Sequence, residues 1–202
     1  MSENPGSGAA AAACGGYDVV SETVRECDRE AEFARLVLCQ QARMLRCIWR
    51  VVRDADLAAD ALQDALTILW RKLPALARHP NPEALVLRVC LDAACDQLRA
   101  RNRRRQRDVP LEQYRDAARA ARSPLARELA VQEEVHEAIA RLRWREATAI
   151  LLRVLGGESY GTIAGLLGCS EVTARVHVLH AREKLQRWLS HLSRASREEA
   201  CP

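Results

Sequence analysis

SYGTIAGLLGCSEVTARVHVLHAR, running from Ser159 to Arg182, is the stretch whose reading decides the fold. Ser159 is an N-cap residue type ahead of a short apolar face made by Ile163, Ala164, Leu166 and Leu167. Gly168 follows at once, where a chain that must turn sharply needs a residue free to take positive φ. Ser170 caps the next helix, and Glu171 in its first turn suits the positive end of the helix dipole. Ala164 is small enough to let the second helix cross the first closely. The pattern predicts a helix-turn-helix, a device that presents one helix to the DNA major groove.

The rest of the chain agrees with a helical reading. Of 202 residues, 49% are hydrophobic but only 4% aromatic, and Ala, Leu and Arg dominate. That composition favours an all-α protein with enough apolar surface for a core. The net charge of +4 is modest, yet six arginines crowd between Arg99 and Arg107. Such a run is commonly a solvated helix end; beside a DNA-reading motif it also suits phosphate contact. The eight cysteines are scattered without a Cys-x-x-Cys pair. They read as small core residues in a reducing compartment. His177 and His180 share a helix face, but no cysteine or carboxylate cluster joins them, so no metal or other cofactor is expected. No signal peptide pattern and no membrane-length apolar run occurs, which places the chain in the cytoplasm without membrane insertion.

The expected organisation is two small helical domains joined by a flexible linker. Residues 1–19 read as a disordered tail, 20–107 as the first domain, 108–123 as the linker, 124–195 as a four-helix helix-turn-helix domain, and 196–202 as a second tail. Apolar residues from Phe33 to Val51 recur at three- and four-residue spacing and predict one long helix ending near Arg53. Asp54 or Asp56 caps the next, which runs to about Leu73 and is closed by Pro74. Three prolines mark 74–82 as a loop, and Pro82 opens a third helix that runs into the arginines. Gly156-Gly157 breaks the helix ahead of the helix-turn-helix.

On the second helix, Leu62, Ala65, Leu66 and Leu69 form an apolar stripe, and Asp60, Gln63, Asp64 and Thr67 form a polar one. The segment AADALQDALTILW resembles the helix with which bacterial sigma factors grip the clamp of RNA polymerase, where Asp-x-x-Gln-Glu-x-Phe precedes a Trp. Asp60, Gln63 and Trp70 match; Asp64 replaces Glu and Leu66 the aromatic. The resemblance implies that Asp60, Gln63, Asp64 and Thr67 bind core RNA polymerase. Residues 86–99, VLRVCLDAACDQLR, resemble the helix that reads the melted minus-ten strand in the two-domain, extracytoplasmic-function group of that family. Arg88, Asp96, Leu98 and Arg99 match, whereas Asp92 stands in the usual place of Asn and Leu85 in that of Trp. An acid beside a DNA strand is repulsive. The resemblance implies DNA contacts from Arg88, Arg99, Arg101, Arg103 and Arg104. His79 and Asn81 lie where the family captures a flipped base; they serve that purpose or are ordinary turn residues.

Residues 142–185 resemble the sigma domain that binds the minus-thirty-five element. Ser159, Tyr160, Ile163, Ala164, Leu167, Gly168, Ser170, Thr173, Ala181 and Arg182 match, with Arg175 in place of Lys. Arg143 replaces a Pro, Ala174 a Val, Val176 a Ser and His177 an Arg. The resemblance implies duplex contacts from Ser170, Glu171, Thr173, Arg175, Val176 and Arg182. Val172, Val176 and Leu179 form an extra apolar stripe near that side. Three readings fit it: altered promoter preference through thymine methyls, weakened DNA binding, or cover by another protein.

The function implied is a subunit that binds core RNA polymerase and directs promoter-specific initiation, with promoter DNA as second partner. Members of the family are often held by anti-sigma proteins, which the resemblance allows for. Two alternatives stand beside it: a stand-alone helix-turn-helix regulator, and a degenerate sigma-like protein that reads DNA poorly. No nucleophile–base set, carboxylate pair or phosphate loop occurs at meaningful spacing, so neither catalysis nor a small-molecule substrate is expected.

Overall fold

The computed structural model describes residues 16–107, 124–190 and 192. Every regular element among them is helical. The N-terminal group comprises α1 (Gly16–Leu36), α2 (Gln41–Val52), α3 (Ala55–Arg71), α4 (Leu73–Ala77) and α5 (Pro82–Arg107). The C-terminal group comprises α6 (Pro124–Arg141), α7 (Trp144–Val154), α8 (Tyr160–Leu167) and α9 (Glu171–Trp188). The segment expected to be a linker, most of the first tail and all of the second lie outside the described residues.

The expected long helix to Arg53 is instead two helices. A 3-10 turn, Leu38–Gln40, separates α1 from α2. Gln40 Nε2 donates to the Leu36 carbonyl at 2.7 Å and Cys39 Sγ to the Arg35 carbonyl at 2.9 Å. Side chains thus satisfy the last carbonyls of α1, and the chain bends without a Gly or Pro. Beyond the bend, α2 buries Met44, Cys47, Ile48, Val51 and Val52, a stripe of period 3.6. Burying each large side chain of this kind contributes roughly 1.5–3 kcal/mol. Asp54 caps α3, accepting from the Leu57 N–H at 3.0 Å. At the far end of α3, Trp70 meets Phe33 edge-on at 5.1 Å and lies under the Arg29 guanidinium at 4.5 Å, which fastens α1.

The stretch read as a loop from Pro74 to Pro82 holds the five-residue α4, with Pro74 in its first turn. Proline lacks an N–H that this position does not need, so it starts this helix rather than ending the previous one. Leu73 and Leu76 are buried by it.

α5 is the spine of the molecule. It packs on α2, α3 and α4 on one side and on α6, α7 and α8 on the other. Ala84, Val86, Leu87, Val89, Cys90, Leu91, Ala93, Ala94, Cys95 and Leu98 are all buried. A helix apolar on most of its circumference is one that has neighbours all round. One continuous apolar core therefore runs from α2 through α5 into α9. Gly156 is packed against α5 with no room for a side chain: a Cβ there would lie 2.7 Å from Leu87 Cδ2 and 2.7 Å from the Leu152 carbonyl oxygen.

Of the cysteines, Cys47, Cys90 and Cys95 are core residues as expected, but Cys27 and Cys39 are exposed. Burial pushes the Cys90 and Cys95 thiols up to about 12, which keeps them as inert apolar groups.

Candidate polymerase and nucleic-acid surfaces

The helix-turn-helix forms as its sequence dictates. Ser159 accepts from the Thr162 N–H and Ser170 from the Thr173 N–H, each at 3.1 Å. Gly168 adopts φ 62°, and the Cys169 N–H returns to the Ala164 carbonyl at 3.0 Å, closing α8. Ala174, Val178 and Ala181 are buried, with Leu185 and Trp188 packed on the same core. α9 is also held by charge. Glu146 on α7 is buried, and Lys184 Nζ lies 2.7 Å from both its oxygens. Burial raises the Glu146 carboxyl, but Lys184 and the Arg143 backbone N–H more than offset this, so it sits below the ordinary carboxylate range.

This packing leaves the outer face of α9 open. Ser170, Glu171, Arg175, Val176 and Arg182 are exposed, with Thr173 half-buried. Arg175 reaches Glu171 at 2.6 Å and lies 5.2 Å over the Tyr160 ring, so it is oriented before any ligand arrives. The extra apolar stripe is solvent-facing: Val172 is 71% exposed, Val176 39% and Leu179 52%.

On α3, Ala58, Ala61, Ala65 and Leu69 face the core, while Leu62 and Leu66 lie half-buried beside them. Asp60, Gln63, Asp64 and Thr67 are exposed on the opposite side. Asp64 accepts from Gln97 Nε2 at 2.8 Å, and the Thr67 hydroxyl donates to the Gln63 carbonyl at 2.9 Å. The face is an exposed acid–amide surface, touched by α5 through Gln97.

The residues read as minus-ten contacts are differently placed. Asn81 Oδ1 accepts from the Ala84 N–H at 3.0 Å and so caps α5, and His79 Nδ1 lies 2.8 Å from the Asn81 carbonyl. Both act here as turn residues. Arg88 donates to the Leu166 carbonyl of α8, lies 5.2 Å over the Trp144 ring and sits 3.4 Å from Asp92. Arg99 donates to the Leu142 carbonyl at 3.4 Å, and Arg101 pairs with Glu133 of α6 at 2.5 Å. Arg103 and Arg104 are exposed. The α5 face that resembles a strand reader is therefore covered by the C-terminal group.

Asp92 finds its partner in this seam, accepting from the Thr148 hydroxyl of α7 at 2.5 Å. Burial raises its carboxyl above the ordinary range, though Thr148 and Arg88 pull it back. On the α6 side, His136 is buried with Nδ1 unpartnered. Burial lowers its pKa; Arg101, Arg53 and Arg105 lower it further against the opposing pull of Glu133. The motif reading missed Glu133, Trp144, Thr148 and Gly156 as seam residues. Their signal lay in α5, where an apolar run too continuous for one buried face asks for a second neighbour. Among the described residues, no cluster of three His, Cys, Asp or Glu is placed to hold a metal, and no helix is long and apolar enough to cross a membrane.

A capped helix-turn-helix behind an exposed acid–amide helix defines an all-α transcription protein. Residues 132–185 match the family model described as Sigma-70, region 4. The RNA polymerase sigma-H factor of Pseudomonas aeruginosa is 31% identical over 183 residues, covering 86% of this chain and 93% of that one. The sigma factor RpoE of Bartonella quintana, solved in complex with the anti-sigma factor NepR, is 23% identical over 78% of this chain and 96% of its own, with a TM-score of 0.47. The chain belongs to the RNA polymerase sigma factors. It is a DNA-binding subunit that directs transcription initiation with core polymerase. Likeness along 86% of the chain leaves the stand-alone regulator without support.

Proposed function

We propose that residues 20–107 and 124–195 act as separable units that close on each other at rest and part on promoter binding. Asp60, Gln63, Asp64 and Thr67 dock on the polymerase clamp. Arg88, Arg99, Arg101, Arg103 and Arg104, with His79 and Asn81 nearby, then face the melted strand. Ser170, Glu171, Thr173, Arg175, Val176 and Arg182 face upstream duplex. The protein works in the cytoplasm, does no covalent chemistry, and exposes in Val172, Val176 and Leu179 a surface that an anti-sigma partner can cover. The observation that carries this reading is the double use of α5: Arg88, Arg99 and Arg101 engage the C-terminal group through groups that a DNA strand would need. Closing supplies these arginines with acceptors; opening returns them to phosphates.

The test is co-elution with core RNA polymerase, followed by run-off transcription from a promoter pool. Wild type should co-elute and give specific transcripts. The Asp60→Lys, Asp64→Lys double variant should lose co-elution while keeping duplex binding through α9. Loss of both activities, or retention of both, sinks the clamp assignment.

A further inference from the structure

Closing the two groups builds a cleft that neither has alone. On α5, Arg99, Asn102, Arg103 and Gln106 fall at i, i+3, i+4 and i+7, on one helix face. On α6, Glu137, Ala140 and Arg141 fall at i, i+3 and i+4. With Arg105 these faces border an open cleft of about 460 Å³, a volume suited to a small molecule rather than a lone ion. The lining is unlike an ordinary ligand pocket, which is mostly apolar. Four arginines and two carboxamides line it with one carboxylate; counting Asp96 and Glu133, which pair with two of those arginines from beside the lining, the formal excess is one positive charge.

Three of the guanidiniums are oriented but not saturated, and the fourth is free to turn. Each has five N–H donors. Arg99 is anchored on Asp96 at 2.9 Å and on the Leu142 carbonyl, Arg105 on Glu133, and Arg141 on Glu137 at 3.2 Å. Arg103 makes no ion pair among the described residues and is exposed. Fixed, planar forks with spare donors are suited to bidentate capture of phosphate oxygens. Spare donors on four neighbouring guanidiniums suit a ligand that presents several anionic oxygens within a few ångströms.

We propose that the cleft between α5 and α6 is a binding site for a small free oligophosphate anion, inorganic or nucleoside-borne, that holds the two groups closed. Both walls are needed, so the ligand prefers the closed form and stabilises it in proportion to its occupancy. The consequence for transcription rests on the closed-at-rest reading above; the site itself rests on the cleft. A rise in such an anion would withhold α5 from the promoter.

The experiment uses the full chain and inorganic tripolyphosphate, titrated calorimetrically at about 0.15 M salt to suppress non-specific attraction. Arg103 and Arg141 are exposed, so Arg103→Gln with Arg141→Gln leaves the core untouched. Wild type should bind, the double variant should bind at least about tenfold more weakly, and Arg46→Gln, an exposed arginine of α2 outside the cleft lining, should match wild type. Equal affinity in wild type and double variant overturns the proposal. So does a single-stranded oligonucleotide that needs Arg103 and Arg141 while tripolyphosphate fails to bind, since the cleft is then a nucleic-acid backbone surface. A chain that fails to co-elute with polymerase yet binds tripolyphosphate through these arginines supports the site and removes only its effect on transcription.

Discussion

α5 and α9 are the two helices proposed to read DNA, and they are built in opposite ways. α9 is capped at its start, buried along one stripe and open on the other side. α5 is buried on several faces, and its polar residues reach across to α6, α7 and α8. A helix with a single buried stripe can keep its outer face ready for DNA whatever the rest of the protein does. A helix that is apolar almost all round must have two neighbours, and one of them has to leave before a strand can take its place. The structure therefore covers one proposed reading surface and displays the other.

The largest effect should come from the bond that fixes α9. Lys184→Met leaves the buried Glu146 carboxylate without its cation, with only the Arg143 backbone N–H donating to it. Partner removal in a buried pair costs about 3–5 kcal/mol; Lys184 is 34% exposed, so about 2–3 kcal/mol is expected here. Denaturant unfolding should show the loss, together with weaker duplex binding. Unchanged stability would mean that α9 is held by its apolar stripe alone.

The seam should respond less, and on the other helix. Thr148→Val deprives the Asp92 carboxylate of its hydroxyl donor, leaving Arg88 nearby, and should cost about 1–2 kcal/mol. The loss should appear as a more open chain, read by small-angle scattering, with α9's duplex affinity unchanged. A fall in duplex affinity would erase the distinction between the two helices.

The smallest effect is the pH response of the seam, in which two groups oppose each other. His136 has a lowered pKa when folded, so its stabilisation is present above the ordinary histidine value of about 6.5 and is lost as pH falls through the lowered one. Asp92 has a raised pKa, so its contribution is full below the ordinary carboxylate range and is lost as pH rises through the raised value. His136→Leu should remove the acid-side loosening of the α5–α6 contact. Asp92→Asn, a mimic of the protonated acid, should remove the tightening that acid brings to the α5–α7 contact. Scattering profiles recorded across pH for both variants decide whether the two halves of the seam titrate separately.

What could be read from the sequence follows the range of the interactions involved. Ser159, Gly168 and Ser170 were legible because each acts on backbone groups within a few residues of itself. Asp54 and Pro82 were legible for the same reason. The bend between α1 and α2 was not, because Cys39 and Gln40 make it without a residue that breaks helices. Pro74 misled because a proline closing one helix and a proline opening the next look alike. The Asp60–Gln63–Asp64–Thr67 face could be placed on the exposed side of α3 from periodicity alone. The seam joins residues 28 to 78 positions apart, such as Arg105 with Glu133, Thr148 with Asp92 and Arg88 with Leu166. No local pattern encodes such pairings. Asp92 was visible as a departure from its family, and its reason lay on another helix.

The shared core of α5 has a consequence for how the protein responds to its own abundance. Both covers of that helix belong to one chain, so each sees the other at a local concentration that dilution cannot lower. Making more of the protein multiplies closed and open copies alike and leaves their ratio fixed. The ratio moves only when something binds one form in preference to the other.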